Sequence, residues 1–220
     1  MLNVSKLLIF GMAEDWMVST ALKALAGMPM SSGRPAAFRT YFANPSQELK
    51  RLADTGAVVR LAHGVYLLVP LGTRPGWRPE LELAAMAWAT ATYGDRVPVL
   101  MGLGAARFHH AIPRALGVTV VALPVQHRPM TITGGRVVFV ARDVNAIHAR
   151  TETTPLGEML VTSVEQTLVD LVARPNLGGF PAEAMAAALH LRQRADLDLT
   201  RDLAKEQRRS APVTRFLEQT

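Results

Sequence analysis

Residues 49–70, LKRLADTGAVVRLAHGVYLLVP, decide the fold of the N-terminal third of the chain because their hydrophobic period changes in the middle. Leu49 and Leu52 are spaced three apart, as on one face of an α-helix. Gly56 then ends the helical pattern, and the residues that follow it are mostly aliphatic or β-branched. The stretch therefore predicts a helix that is followed directly by extended chain.

The extended chain divides into two strands. Val, Leu and Tyr side chains dominate Ala57–Leu61 and Val65–Val69. The short segment between these runs ends with Gly64, and glycine is the residue type that adopts a positive φ most readily. Two such runs joined by a short glycine-containing loop are typical of a β-hairpin.

Three helices are predicted before this hairpin. A helical period covers Glu14–Ala26, and a short helix is expected over Ala36–Phe42. The third helix, Pro45–Thr55, has the clearest start signal, since Asn44 is a favoured N-cap residue and proline suits the first helical position. Three helices followed by a two-stranded wing are the order of a winged helix-turn-helix. We therefore expect residues 1–70 to be a DNA-binding domain whose third helix contacts DNA.

A second domain is predicted beyond a turn-rich linker. Residues 71–78 form the linker because proline and glycine are concentrated there. Residues 79–220 combine helices with Val-rich strands, which indicates an α+β protein with a mixed α/β C-terminal domain. The expected helices are Glu80–Tyr93, Gly102–Ala111, one that begins at Thr162 or Ser163, Pro181–Arg194 and Leu199–Arg209; the expected strands are Val97–Met101, Gly117–Leu123, Gly135–Ala141 and Glu158–Val161.

Positive charge is concentrated in the first two thirds of the chain. The formal net charge of +6 at pH 7 divides into +3 for residues 1–70, +5 for 71–150 and −2 for 151–220. A basic surface suits a polyanion, because neutralised phosphates release counterions on binding. Many basic proteins bind no nucleic acid, so the charge supports such a partner without identifying it.

Composition excludes several classes of site. The chain has no cysteine, which removes disulfides, thiolate zinc sites and thiol catalysis and agrees with a reducing compartment. The longest apolar run near the N-terminus, Leu7–Phe10, is far too short to span a membrane, and the start of the chain lacks the pattern of a secretory signal. We therefore expect a cytoplasmic protein without a membrane partner.

The expected DNA contacts lie on the outer face of the third helix and on the wing. With Leu49 and Leu52 directed at the core, the outer face of the helix carries Ser46, Gln47, Lys50 and Arg51. Gln pairs with adenine, Arg and Lys reach guanine, and Ser contacts a base or a phosphate. On the wing, Arg60 and His63 are placed for a flanking phosphate or the minor groove. The alternatives are an ordinary solvated helix face and, for His63, a plain turn residue.

Enzyme signatures are weak throughout the sequence. His109 and His110 are adjacent, so on a helix they point in different directions and do not chelate one metal. Gly102–Gly104 lacks the further glycine and the lysine of a phosphate loop. Glu165 and Asp170 fit a helix better than an acidic site. We therefore expect no catalytic residue, metal or cofactor, while a modifying activity toward a partner stays open.

Three segments resemble the AbiEi family of antitoxins and the related MenA-like antitoxins. Met101–Ala111, MGLGAARFHHA, resembles the family's helix of small residues. Val161–Val172, VTSVEQTLVDLV, resembles its Glu-x-Thr-Leu-x-Asp segment. The third segment resembles the family's helix and its Gly-Val-Tyr wing, matched at Leu49, Leu52, Gly56, Arg60, Gly64, Val65, Tyr66 and Pro70.

The resemblance implies the antitoxin half of a two-gene toxin–antitoxin system. The winged helix would repress the shared promoter by binding double-stranded DNA, with a dimer on the DNA as one arrangement. The C-terminal domain would counteract a nucleotidyltransferase-like toxin. Two alternatives stay open: a toxin-directed interaction or modifying protein without a DNA role, and a winged-helix transcription factor without a toxin.

Overall fold

The computed structural model describes residues 16–219. The apolar run Leu7–Phe10 and the expected start of the first helix at Glu14 lie outside these residues. The chain combines helices with two sheets, which confirms the mixed α+β class. Across residues 16–219, no helix is both long enough and apolar enough to cross a bilayer.

The head, residues 16–70, contains two α-helices, two 3-10 turns and a three-stranded antiparallel sheet of order β1-β3-β2. Asn44 caps helix α2 as predicted, since its side-chain oxygen accepts a hydrogen bond from the Gln47 backbone N–H at 3.4 Å. The elements are α1 (residues 16–26), a 3-10 turn (Pro29–Ser31), β1 (Ser32–Gly33), a second 3-10 turn (Pro35–Phe38), α2 (Pro45–Asp54), β2 (Val58–Arg60) and β3 (Tyr66–Leu68).

Two parts of the head differ from the sequence-based expectation. The second helix is a single 3-10 turn that ends at Phe38, whose buried ring fixes the segment against α1 and α2. Strand β1 is not among the predicted elements, because serine and glycine carry no strand preference. It forms because Ser32 and Gly33 pair with Leu67 and Tyr66 of β3.

The sheet of the head is covered on both faces. Val58 and Tyr66 pack with α1 and α2 in the core of the head. Val59 and Leu67 point the opposite way and belong to a second core that includes Trp88. Alternate residues of a strand face opposite sides, so one hairpin serves both cores.

The body, residues 79–219, is built on a six-stranded mixed sheet of order β6-β7-β5-β4-β9-β8. The pairs β4–β9 and β5–β7 are parallel, and the other neighbours are antiparallel. Its strands are β4 (Val99–Met101), β5 (Val118–Leu123), β6 (Met130–Ile132), β7 (Gly135–Ala141), β8 (Ala149–Thr154) and β9 (Gly157–Thr162); its helices are α3 (Leu81–Tyr93), α4 (Gly102–Phe108), α5 (Val164–Ala173), α6 (Pro181–Arg192), α7 (Leu197–Glu206) and α8 (Ser210–Glu218), with a 3-10 turn at Val144–Ala146.

Helices cover both faces of this sheet. Helix α3 packs on one face together with the head, and α4 to α8 form a second helical core, in which α5 is central. All six residues of β5 are buried, which explains why its sequence is apolar at every position except Thr119 and does not alternate.

The head and the body share a hydrophobic core. Met30, Val59 and Leu67 of the head lie in one buried cluster with Trp88 of α3 and Leu156 of the body. The segment between the two units, residues 71–78, consists of turns. The division of the chain into two domains at this segment stays a prediction.

Candidate nucleic-acid interface

Helix α2 separates its side chains as the sequence predicted. Leu49 and Leu52 are buried in the core of the head. The four outward residues are all exposed and lie within the first two turns of the helix: Ser46, Gln47, Lys50 and Arg51. The structure thus brings these four candidates together on one accessible surface, which we call the α2 face.

Local contacts distinguish the members of the α2 face. Gln47 accepts a hydrogen bond from the Asn44 side-chain amide at 3.2 Å. Arg51 forms an ion pair with Glu48 at 2.9 Å, in which both side chains are partly exposed. Exposed pairs of this kind contribute about 0 to 1 kcal/mol, so a phosphate or a base can displace Glu48. Ser46 and Lys50 make no side-chain hydrogen bond or ion pair with the described part of the chain.

The hairpin presents the two wing candidates. Arg60 is exposed at the end of β2, where its backbone pairs with Tyr66. His63 is exposed at the turn, with φ of 45°, and Gly64 follows with φ of 72°. Two consecutive left-handed residues give a tight turn, so the loop of the hairpin is short. His63 therefore serves as a turn residue and is also accessible from outside.

Two further cations of the head are exposed and were not among the expected contacts. Arg39 lies in the turn that precedes α2, and Lys23 lies on α1. Within residues 16–70, six Lys and Arg residues stand against two acidic residues. Arg34 is not equivalent to the others, because its guanidinium donates to the Thr92 hydroxyl of the body at 3.1 Å. In the sequence, the excess of basic over acidic residues in this segment was the signal that could have added Arg39 and Lys23 to the expected contacts.

The adjacent histidines of the body do not form a common site. His109 is half-buried, and its Nε2–H donates to the Thr162 carbonyl at 2.7 Å. Burial lowers the pKa of His109, because the desolvated surroundings disfavour the charged ring. His110 is exposed with φ of 57°. In the part of the chain that the structure describes, no three His, Asp or Glu side chains are grouped to hold a metal ion.

The glycines at the start of α4 serve packing. Gly104 is buried against β5, and a Cβ atom at this position would overlap Thr119 Oγ1. The interpretation of Gly102–Gly104 as a phosphate loop therefore has no support from the local geometry.

Asp170 lies in a buried polar network between α5, β7 and α7. One carboxylate oxygen accepts hydrogen bonds from Arg142 at 2.8 Å and from Gln166 at 3.1 Å. Gln207 at the end of α7 accepts from Arg142 at 2.8 Å. Burial raises the pKa of Asp170 to about 6, against the opposing effect of Arg142. The network joins three elements, as expected for a structural role of Asp170.

Comparison with known proteins bears on the fold. No protein-family model and no curated protein matches this sequence. The fold is similar to that in "Crystal structure of RV2827C protein from Mycobacterium tuberculosis", with a TM-score of 0.58 and 16% sequence identity. The similarity covers 86% of this chain and 71% of that chain. At this identity, it is the α+β fold that the two proteins share.

Proposed function

We propose that the head is a winged helix-turn-helix and that this protein is a DNA-binding antitoxin that represses its own promoter. The observation that carries the proposal is the α2 face, an exposed polar and basic helix surface near the exposed Arg60 and His63 of the hairpin. In the order of elements, α1-turn-β1-turn-α2-β2-β3, α2 comes directly before the hairpin. In a winged helix, that position belongs to the helix that enters the major groove.

The dimensions of α2 suit the major groove. An α-helix with its side chains is about 10 to 12 Å in diameter, which fits the groove width of about 12 Å, and the 10 residues of α2 extend about 15 Å along its axis. Gln47 is suited to adenine, and Lys50 and Arg51 to guanine or phosphate. Arg39 precedes the N-terminus of α2, where backbone N–H groups also favour phosphate. Arg60 and His63 would reach a flanking phosphate or the minor groove.

The antitoxin part of the proposal rests on the resemblance to the AbiEi family. A nucleotidyltransferase-like toxin would be counteracted by the body, while the head occupies the shared promoter. Binding to an inverted repeat would place two copies of the chain on the DNA. A promoter-bound role also places the protein in the cytoplasm.

DNA binding is tested with a charge reversal on the α2 face. We expect the purified chain to shift its own promoter fragment, and the double variant Lys50→Glu/Arg51→Glu to lose that shift. The matched control, Arg201→Glu/Lys205→Glu on α7, changes the same charge at exposed positions of the body and should bind as the wild type does. Equal loss in both variants would indicate a nonspecific charge effect and contradict the α2 face as the contact surface.

The antitoxin role is tested by co-expression with the product of the adjacent gene. We expect the chain to restore growth that a nucleotidyltransferase-like neighbour suppresses. Rescue by Lys50→Glu/Arg51→Glu as well as by the wild type would assign neutralisation to the body. An adjacent gene of another class, with no growth defect on expression, would leave a winged-helix transcription factor and contradict the antitoxin role.

A further inference from the structure

A cleft lies in the body, away from the α2 face. It has a volume of about 620 Å³ and is bounded by the start of α3, the end of α4 and the end of β8. Clefts of about 300 to 1,000 Å³ are of the size that encloses a small organic ligand. This cleft is independent of whether the head binds DNA.

Three charged side chains converge in the cleft. Arg107 Nε donates to Glu82 at 2.9 Å, and both side chains are largely buried, at 17% and 7% exposure. Arg107 Nη2 also donates to Glu80, but this contact is longer, at 3.3 Å, and the Glu80 side chain is 72% exposed. Glu82 thus neutralises Arg107, and the charge of Glu80 remains at the mouth. Two carboxylates around one guanidinium leave a formal excess of one negative charge.

The excess negative charge determines whether the cleft favours a cationic or an anionic ligand. Burial raises the pKa of Glu82, which shows that the surroundings disfavour its carboxylate form in spite of Arg107. A second cation beside Glu80 and Glu82 would relieve this cost, whereas an anion would have to displace Glu80 from Arg107. The electrostatics of the cleft therefore favour a cation.

The rest of the lining is mostly apolar, and His110, Thr153 and Thr154 are its polar members. Leu83, Phe108, Ile112, Pro113 and Pro155 line the same space. Ordered apolar walls with a few convergent polar groups are the usual construction of a ligand site. We propose that this cleft binds a cationic group carried on an apolar body, either the side chain of an arginine in a partner protein or a free amphipathic amidinium or guanidinium compound.

One wall of the cleft is also in contact with the head. The turn between β8 and β9 is held by Thr154, whose hydroxyl donates to the Gly157 carbonyl at 2.7 Å and accepts from the Leu156 N–H at 3.2 Å. Leu156 is buried, and its carbonyl accepts a hydrogen bond from the Ser31 hydroxyl of the head at 3.1 Å. A ligand that contacts Thr154 and Pro155 therefore lies against the β8–β9 turn. The same turn contacts the segment that joins α1 to β1.

The proposal is tested by binding of three isosteric probes to the full chain: benzamidinium, neutral benzamide and anionic benzoate. We expect benzamidinium to bind at least about tenfold more tightly than benzoate, which corresponds to about 1.4 kcal/mol. In amide NMR spectra, its binding should shift residues 80–83 and 153–157, and also Ser31. Blocked Gly-Arg-Gly peptide is the fourth probe. Tighter binding of the peptide indicates a partner's arginine, and tighter binding of benzamidinium indicates a free compound.

Variants locate the site. Glu80→Gln changes an exposed side chain, so the fold should be kept, and we expect it to weaken benzamidinium at least about fivefold while benzamide is unaffected. The matched control is Glu158→Gln, an exposed carboxylate beyond the same turn that pairs with Arg96; it should leave all affinities unchanged. Benzoate binding as tightly as benzamidinium, or Glu80→Gln without effect, would overturn the proposal.

Discussion

The hydroxyl of Ser32 donates a 2.9 Å hydrogen bond to the carbonyl of Ala87, and both residues are buried. Ser32 belongs to β1 of the head, and Ala87 lies in the middle of α3 of the body. The bond therefore crosses the surface on which the two units meet. Together with the shared apolar core, it fixes the orientation of the head.

Ser32→Ala should lower the free energy of unfolding by about 1 kcal/mol, because one buried hydrogen bond between the units is lost. Urea denaturation of the full chain measures the change. Ser46→Ala is the control, since Ser46 is exposed and makes no hydrogen bond through its side chain to the described residues. A loss of similar size at Ser46 would contradict the assignment to the Ser32–Ala87 contact.

Leu67→Ala should cost about 2 to 5 kcal/mol, since Leu67 is fully buried between the head and the body. If the shared core couples the units, the wild type should unfold in one cooperative transition. Far-UV circular dichroism and tryptophan fluorescence should then give the same midpoint in denaturant. Two separated transitions would contradict a shared core.

Asn44→Ala should destabilise the chain by about 1 kcal/mol, because the start of α2 loses its side-chain cap. The same variant should weaken promoter binding, because Ser46 and Gln47 lie in the first turn of α2 and this turn frays without its cap. Fluorescence anisotropy with labelled promoter DNA measures this effect. Asn145→Ala, at a 3-10 turn of the body, is the control. Unchanged DNA affinity in Asn44→Ala would argue against contacts by the first turn.

Asp170 should make the free energy of unfolding depend on pH. Its pKa is about 6 in the folded chain, against an ordinary value of 3.8, so the folded state binds the proton first as pH falls. Asp170 therefore makes the wild type more stable as pH falls from about 6 toward 3.8, with a slope of up to about 1.4 kcal/mol per pH unit. This gain is lost as pH rises through 6.

The comparison with Asp170→Asn isolates this contribution. The variant does not titrate at this position, so the stability difference between wild type and variant should shift in favour of the wild type between pH 7 and pH 4. Urea denaturation across that range measures the difference, and carbon NMR of the carboxyl group gives the pKa directly. A difference that is independent of pH would contradict the raised pKa.

Local signals explain what the sequence predicted well. The cap at Asn44, the paired leucines of α2 and the glycine after His63 act within a few residues, and the structure has the corresponding helix and hairpin. The same is true of the α2 face, whose exposure follows from the burial of Leu49 and Leu52.

Long-range contacts explain what the sequence left out. Strand β1 has only two residues and forms through pairing with β3, in which Ser32 pairs with Leu67, 35 residues further along the chain, and Gly33 with Tyr66, 33 residues further along. Met30 is buried against Leu156 and the other residues of the shared core. The charged cleft brings Glu80, Glu82 and Arg107 together from two helices. None of these contacts could be predicted from the hydrophobic period or the composition of the segments involved.

The salt dependence of promoter binding tests the central claim most directly. Labelled promoter DNA and a scrambled fragment of equal length are titrated with the full chain between about 50 and 200 mM salt. With Arg39, Lys50, Arg51 and Arg60 at the interface, log affinity for the promoter should fall with log salt at a slope of about −3 to −4. The promoter should also bind about a thousandfold more tightly than the scrambled fragment. Equal affinity for the two fragments, or no binding at the lowest salt concentration, would contradict a sequence-specific repressor.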